Sequence, residues 1–430
     1  MTSTEASRTP PTTTQVAAAA GGGAALMVLL AVAVTGRSGF GPQSSWHVLY
    51  SGSTAVQAAG AIVAVLVSTW SLPTIARLAT TVLGLSIATI AILASDSLGA
   101  GFIASIGAGL ALGCLAAHSV THADRRSVIA LIIGAICGVT VYRGLRPIAF
   151  NAVGDRFETT AVVLIGLTTV MAGALLVEAI ASARSRSDGA APVTPAWTSD
   201  RRVAAGGIAL VVVAVVTDWA FTASVMKSQS TDVWWWGWLP VVAMIITGLA
   251  LRRVGGAIVV VAAAWAVSKV GEITWAPKHS VWLLLAVVLV VAASVVGYRV
   301  RRPILGVVVL AFCAATYLVY GSPLGDIYSM TTVFVAPAAA AFAVMGVIAE
   351  NPPSAPVTVT ALSGPAIWVI APQLVFVVFA GSAGDERTFN SSFGPQTMSA
   401  AAERAIPMVI AITACAIALA VIVRRQRASH

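Results

Sequence analysis

Long apolar runs recur along the whole chain, separated by short polar turns. Each run extends for about 17 residues or more, which is the length a helix needs to cross a bilayer. Of the 430 residues, 58% are hydrophobic and 10% are charged, and the mean hydropathy is +0.92. Soluble domains carry about 25% charged residues. The pattern therefore predicts an all-α, polytopic membrane protein, because the alternation typical of membrane β-strands does not appear in the sequence.

A window of about 19 residues identifies about fourteen candidate spans and suggests how they are grouped. Their predicted limits are 16–34, 53–70, 78–95, 98–117, 127–142, 159–181, 203–226, 234–251, 254–270, 281–298, 304–320, 330–349, 361–381 and 405–423. The Pro- and Ser-rich stretch between the sixth and seventh spans is typical of a linker. The predicted organisation is a disordered cytoplasmic tail (1–15), a six-helix bundle (16–182), a cytoplasmic linker (183–202), an eight-helix part (203–423) and a basic tail (424–430).

The distribution of arginine and lysine predicts the orientation of the chain. With a cytoplasmic N-terminus, 16 of the 25 Lys and Arg residues fall on the cytoplasmic side, including Arg77 in the turn before the third span. The positive-inside rule then places both termini in the cytoplasm and the protein in the inner (plasma) membrane. The net charge of +9 reflects basic loops facing an anionic leaflet, so it predicts the lipid bilayer as a partner and no nucleic acid.

One carboxylate, Asp218, lies inside the apolar run VVVAVVTDWAFTASV. It lies about 12 Å below the interface predicted at Lys227, which is farther than its short side chain can reach. An acid at that depth is costly unless it faces a cavity or a partner. The functional interpretation is a proton carrier, with Trp219 and Thr222 near the cavity. The structural interpretation is a hydrogen bond within the protein, for example to Thr222 one turn away.

Tryptophans cluster at predicted span boundaries, most densely in VWWWGWLP, which contains Trp234, Trp235, Trp236 and Trp238. Tryptophan prefers the membrane interface, so an anchoring belt is the simplest explanation. Trp265 and Trp282 lie near predicted outer ends and fit the same belt, whereas Trp70 lies at an inner end. The alternative is an aromatic wall at the outer mouth of a cavity that accepts an amphipathic or cationic ligand.

The glycine pattern GAGLALG contains Gly107, Gly109 and Gly113 and suggests closely packed helices. The order AILASDSL, GFIASIGAGLALG, ADRRS and IIGAICGV resembles the third, fourth and fifth helices of a major facilitator superfamily transporter. The basic turns GLALRRVGG and GYRVRRP, a central loop and a long outer loop before the last span resemble its fourteen-helix drug:proton antiporter branch. This resemblance implies helices that slide during alternating access, and an inner gate braced by Arg125, Arg126, Arg252 and Arg253.

Signatures of enzymes and metal sites do not appear in the sequence. GxSxG, HExxH, Walker A and GxGxxG motifs are all missing. His118 and His122 are four residues apart but have no acidic shell, and the four cysteines lie in apolar runs as small packing residues. We therefore predict that the protein is not an enzyme and has no catalytic residue, metal or cofactor.

These features together predict a secondary active transporter. The prediction is proton-coupled export of an amphipathic small molecule or lipid through a cavity between two bundles, driven by the proton gradient. One alternative is a flippase for a lipid-linked cell-envelope precursor, which a fourteen-helix count would also suit. Another is a membrane scaffold subunit that does not transport. The sequence does not determine the substrate or the oligomeric state.

Overall fold

The protein is an all-α, polytopic membrane protein, and every regular element in the described part of the chain is helical. The computed structural model describes residues 21, 23, 53–70, 72–94, 98–121, 127–138, 201–228, 238–251, 255–268, 280–319, 326–350 and 398–428. The predicted spans 16–34, 159–181 and 361–381 lie almost wholly outside these residues. Every other predicted span coincides with a described helix.

A first group of helices forms from the early spans. They are α1 (Ser53–Ser68), α2 (Thr74–Ala94) and α3 (Leu98–Thr121). Helix α3 packs against both α1 and α2. A further helix, α4 (Ser127–Gly138), packs beside Gly23.

The later spans form a second group. Its helices are α6 (Leu239–Ala250), α7 (Gly255–Ser268), α8 (Ser280–Val300), α9 (Pro303–Ala315), α10 (Asp326–Met330), α11 (Ala336–Glu350) and α12 (Met398–Arg427). Helix α7 packs against α6, α11 and α12, and α11 also packs against α8 and α9. Helix α5 (Arg201–Ser228) packs against α1 of the first group and α6 of the second. The division of the chain at the 183–202 linker stays a prediction, because residues 183–200 lie outside the described residues and Arg201 and Arg202 already belong to α5.

A π-helical turn, Thr331–Val335, joins α10 to α11 without a break. Its closing hydrogen bond runs from the Ala336 N–H to the Thr331 carbonyl. The next residue, Pro337, has no N–H to donate, and its ring would crowd the carbonyl four residues earlier. The wider turn accommodates this proline. Such turns are frequent at functional sites.

The outer surface of the described helices is apolar, as a lipid environment requires. Leu83, Ile90, Leu284 and Phe312 are each more than half exposed. Four described stretches are long and apolar enough to cross a membrane: Thr74–Ile92, Gly99–Ser119, Thr331–Ala349 and Ala405–Arg427. Many serine and threonine hydroxyls bond carbonyls of their own helix, which satisfies them without water.

Arginines gather at one end of the second group. Gly206 of α5 lies against Leu251, Gly256 of α7 lies against Val347 and Leu419, and Gly346 lies against Pro303. These contacts place the start of α5, the α8–α9 turn and the end of α12 at the same end. The described arginines at that end are all exposed: Arg201, Arg202, Arg299, Arg301, Arg302, Arg424, Arg425 and Arg427. This clustering agrees with the predicted basic loops, while the side of the membrane that they face stays a prediction.

Candidate functional site

Helix α5, which carries Asp218, packs against α1 of the first group and α6 of the second. One face of α5 is buried, with Val211 at 3% exposure, whereas Val212 and Val216 are about half exposed. Position 218 follows Val211 by seven residues, or about two helical turns, so helical periodicity predicts that it continues the face of Val211. The side chains of Asp218, Trp219 and Thr222 lie outside the described residues. Their proposed roles therefore remain predictions.

The interface between α1 and α3 is held by glycine. A Cβ atom added to Gly109 would collide with the carbonyl of Gly60, and one added to Gly113 would lie 2.5 Å from the Ala64 carbonyl oxygen. From the first contact to the second, the chain advances in the same direction on both helices, so α1 and α3 run parallel. Gly107 instead faces α2, where it meets Gly84. The glycine pattern therefore serves two interfaces, which confirms its predicted role in close packing.

Two polar side chains are buried on α1 and α3 near the Gly60–Gly109 contact. Gln57 is 2% exposed and Ser105 is fully buried. Within the described part of the chain, neither the amide atoms of Gln57 nor the Ser105 hydroxyl has a hydrogen-bond partner. Sequence reasoning did not single out either residue. The available signal was a carboxamide inside the otherwise apolar run that begins at Ser53.

Arg77 is buried at the opposite end of α3. The sequence placed it in a turn before a span starting at residue 78, but α2 begins at Thr74 and carries Arg77 in its first turn. The guanidinium is 4% exposed, and its Nη1 donates to the Ala117 carbonyl at 3.4 Å. A cation at the end of α3 complements the partial negative charge of the helix C-terminus. Arg77 therefore joins α2 to α3 as a buried cation.

The second group has a cluster of hydroxyls and aromatic rings around the π turn. The Tyr328 hydroxyl donates to the Val267 carbonyl of α7 at 3.1 Å, and the Tyr317 ring packs edge-on against Tyr328 at 4.8 Å between centroids. The hydroxyls of Thr316 and Thr331 lie 3.0 Å apart. Thr331 and Thr332 also donate to the Tyr328 carbonyl. These contacts tie α7, α9 and the π turn together.

Trp238 packs edge-on against Trp265, with ring centroids 6.2 Å apart. Trp265 is only 2% exposed, so it belongs to the protein core and departs from the anchoring belt predicted for it. Trp70 and Trp282 are about half exposed, as residues at a membrane interface would be. Trp234, Trp235 and Trp236 lie outside the described residues, so the aromatic wall remains a prediction.

The predicted gate residues all lie outside the described chain. Arg125, Arg126, Arg252 and Arg253 all fall in segments between described helices, so their role at an inner gate stays a prediction. Among the described residues, no group of three or more His, Cys, Asp or Glu side chains could hold a metal ion. Cys114, Cys313 and Cys415 are buried free thiols, in keeping with their predicted packing role.

Comparison with known proteins gives a likeness to solved structures. No family model matches the sequence, and no curated protein matches it. Among solved structures, the chain is similar to XylE, a major facilitator superfamily proton:xylose symporter bound to 6-bromo-6-deoxy-D-glucose. The TM-score is 0.46 at 14% sequence identity, and the match covers 93% of this chain and 94% of that chain. The drug:proton antiporter branch stays a prediction.

Proposed function

We propose that the protein is a secondary active transporter of the major facilitator type, which couples proton movement to export of an amphipathic small molecule or lipid. The observation that carries this proposal is the position of Asp218. It belongs to the helix that packs against α1 of the first group and α6 of the second. A proton carrier there would act where the two groups move against each other.

Asp218 has the chemistry that proton coupling requires. A carboxylate deep in a spanning helix is held away from lipid, because an exposed charge there costs about 2.5–3.5 kcal/mol on insertion scales. Contact with a cavity that opens to one side at a time would let it bind and release a proton. Helix α5, which carries this acid, packs against both groups, whereas the described arginines other than Arg77 remain exposed at one end.

Transport into liposomes with an imposed pH gradient tests the proposal. The probes are ethidium and Hoechst 33342 as amphipathic compounds and a fluorescent phospholipid as the lipid. We expect Asp218→Asn to reduce the flux driven by the pH gradient by about 100-fold, the usual scale for losing an acid–base group. Asp218→Glu, which keeps a carboxylate, should retain part of that flux.

Asp326→Asn is the matched control, because it makes the same chemical change at the start of α10 instead of inside a spanning run. Its flux should stay within a factor of about two of the wild type, since a group at a helix end reaches water. Equal flux in the wild type and Asp218→Asn would remove Asp218 from the mechanism. Phospholipid movement that ignores the pH gradient would favour the flippase.

A further inference from the structure

The side chains of Gln57 and Ser105 are buried without a hydrogen bond to the described part of the protein. Gln57 is 2% exposed and Ser105 is fully buried, and no described atom bonds the amide of the first or the hydroxyl of the second. Unsatisfied polar atoms are costly in a membrane interior, where water is not available to replace a missing partner. A native protein that keeps two of them close together needs a reason.

The helix register brings the two side chains to the same level. Gly60 meets Gly109 and Ala64 meets Gly113, so contacting residues on α1 and α3 differ by a constant number along the two parallel helices. Ser105 lies one turn before Gly109 on the stripe that faces α1. Gln57 lies about one turn before Gly60 on the stripe that faces α3. Both positions therefore fall on the shared interface, one turn beyond its tightest contact.

Other buried hydroxyls show what a structural role looks like in this protein. Six of them donate to a carbonyl three or four residues earlier in the chain: Ser68, Thr81, Ser119, Ser294, Thr316 and Thr332. Ser105 has the same type of carbonyl within reach of one rotamer, because every helical serine does. Its hydroxyl is nevertheless left without a bond to any described atom. The Ser105 hydroxyl and the Gln57 carboxamide can thus still bond another group at the α1–α3 interface.

We infer that Gln57 and Ser105 form a polar subsite for an uncharged hydrogen-bonding group of the transported molecule, such as a hydroxyl, amide or carbonyl. This inference rests on the proposed transport function. A carboxamide offers two donors and an acceptor, and a hydroxyl offers one donor and two lone pairs. An ion is a poor match, because α1 carries no charged residue and α3 carries none near Ser105. The buried cation Arg77 lies near Ala117, about 18 Å along α3 from Ser105.

Access to this subsite requires α1 and α3 to separate or slide. Gly60, Gly109 and Gly113 have no side chains that would hinder sliding of α1 against α3. Separation of the two helices would expose apolar side chains only to lipid tails, which are equally apolar. The closed arrangement therefore corresponds to a state in which the subsite is covered. A substrate group entering between the helices would replace the missing hydrogen bonds.

Thiol labelling tests this inference without knowledge of the substrate. Ser105→Cys is introduced after Cys114, Cys137, Cys313 and Cys415 are replaced by alanine, and the probe is N-ethylmaleimide, a small uncharged carbonyl compound. The matched control is Ala111→Cys, which is equally buried on α3 but lies against Gly84 of α2. Gln57→Cys provides a second position if Ser105→Cys does not fold.

We expect N-ethylmaleimide to react at position 105 at least about tenfold faster than at position 111 in liposomes, because access differs while the buried thiol is the same group. Equally slow reaction at 105, 57 and 111 would overturn the subsite and leave a sealed pocket holding at most an ordered water. Labelling requires neither a pH gradient nor Asp218. Fast labelling in a protein whose flux ignores Asp218→Asn would keep the subsite and reject the coupling proposal.

Discussion

The α1–α3 interface and the π-turn cluster both bury polar side chains, but they differ in whether those side chains have hydrogen-bond partners. At the π turn, the hydroxyls of Tyr328, Thr331 and Thr332 all have hydrogen-bond partners. At the α1–α3 interface, Gln57 and Ser105 have none among the described residues. Satisfied polar groups fix a structure, whereas unsatisfied ones destabilise it until something binds. The first arrangement holds helices together, and the second is suited to a ligand.

The largest effect on stability is expected from adding a side chain at the contact between Gly109 and Gly60. Gly109→Ala places a Cβ atom against the backbone of Gly60, which cannot move aside as a flexible side chain could. We expect a loss of stability of about 1–3 kcal/mol, measured as a lower melting temperature in detergent. Gly99→Ala is the control, because a Cβ there meets nothing within 4 Å. Similar melting temperatures for the two variants would contradict the close α1–α3 packing.

A smaller effect should follow from removing one satisfied hydroxyl at the π turn. Tyr328→Phe deletes the donor to the Val267 carbonyl and leaves that carbonyl buried. We expect a loss of about 1 kcal/mol. Thr413→Val is the control, because Thr413 is exposed and bonds a carbonyl of its own helix. Unchanged thermal unfolding of Tyr328→Phe would show that the cluster does not hold α7 to the π turn.

The smallest effect, and the one with the opposite sign, is expected at the unsatisfied pair. Gln57→Leu keeps roughly the size of the side chain and removes an amide that has no partner among the described residues. We expect stability without substrate to be unchanged or raised by up to about 1 kcal/mol, a trade of stability against function. The measurement is again the melting temperature. A clear decrease would show that Gln57 is a structural residue and would remove the contrast between the two regions.

The sequence predicted the spanning helices well but not all their limits. The predicted span 78–95 became α2, which begins at Thr74, so Arg77 moved from a turn into a buried first turn of helix. The window method could not place it, because an arginine lowers the apolar score wherever its side chain points. The π turn has a sequence signal in Pro337 inside a predicted span, yet proline alone does not distinguish a kink from a wider turn.

The candidate site was predicted in part. Asp218 stood out because a lone acid in an apolar run is rare, and its role stays a prediction because its side chain lies outside the described residues. Gln57 and Ser105 did not stand out, because neutral polar residues are common in spanning helices and most bond their own backbone. Trp265 was assigned to the interface by its position near a span end, whereas packing against Trp238 places it in the core.

The sequence by itself determined that this chain lies in a membrane as helices. A run of apolar residues in lipid must satisfy its backbone hydrogen bonds internally, and a helix does so without any partner. Tertiary structure alone decided which helix faces meet, so that Gly107 faces α2 while Gly109, two residues later, faces α1. The reason is that lipid and protein interior are equally apolar. The hydrophobic periodicity that marks a buried face in a soluble protein therefore carries little information here.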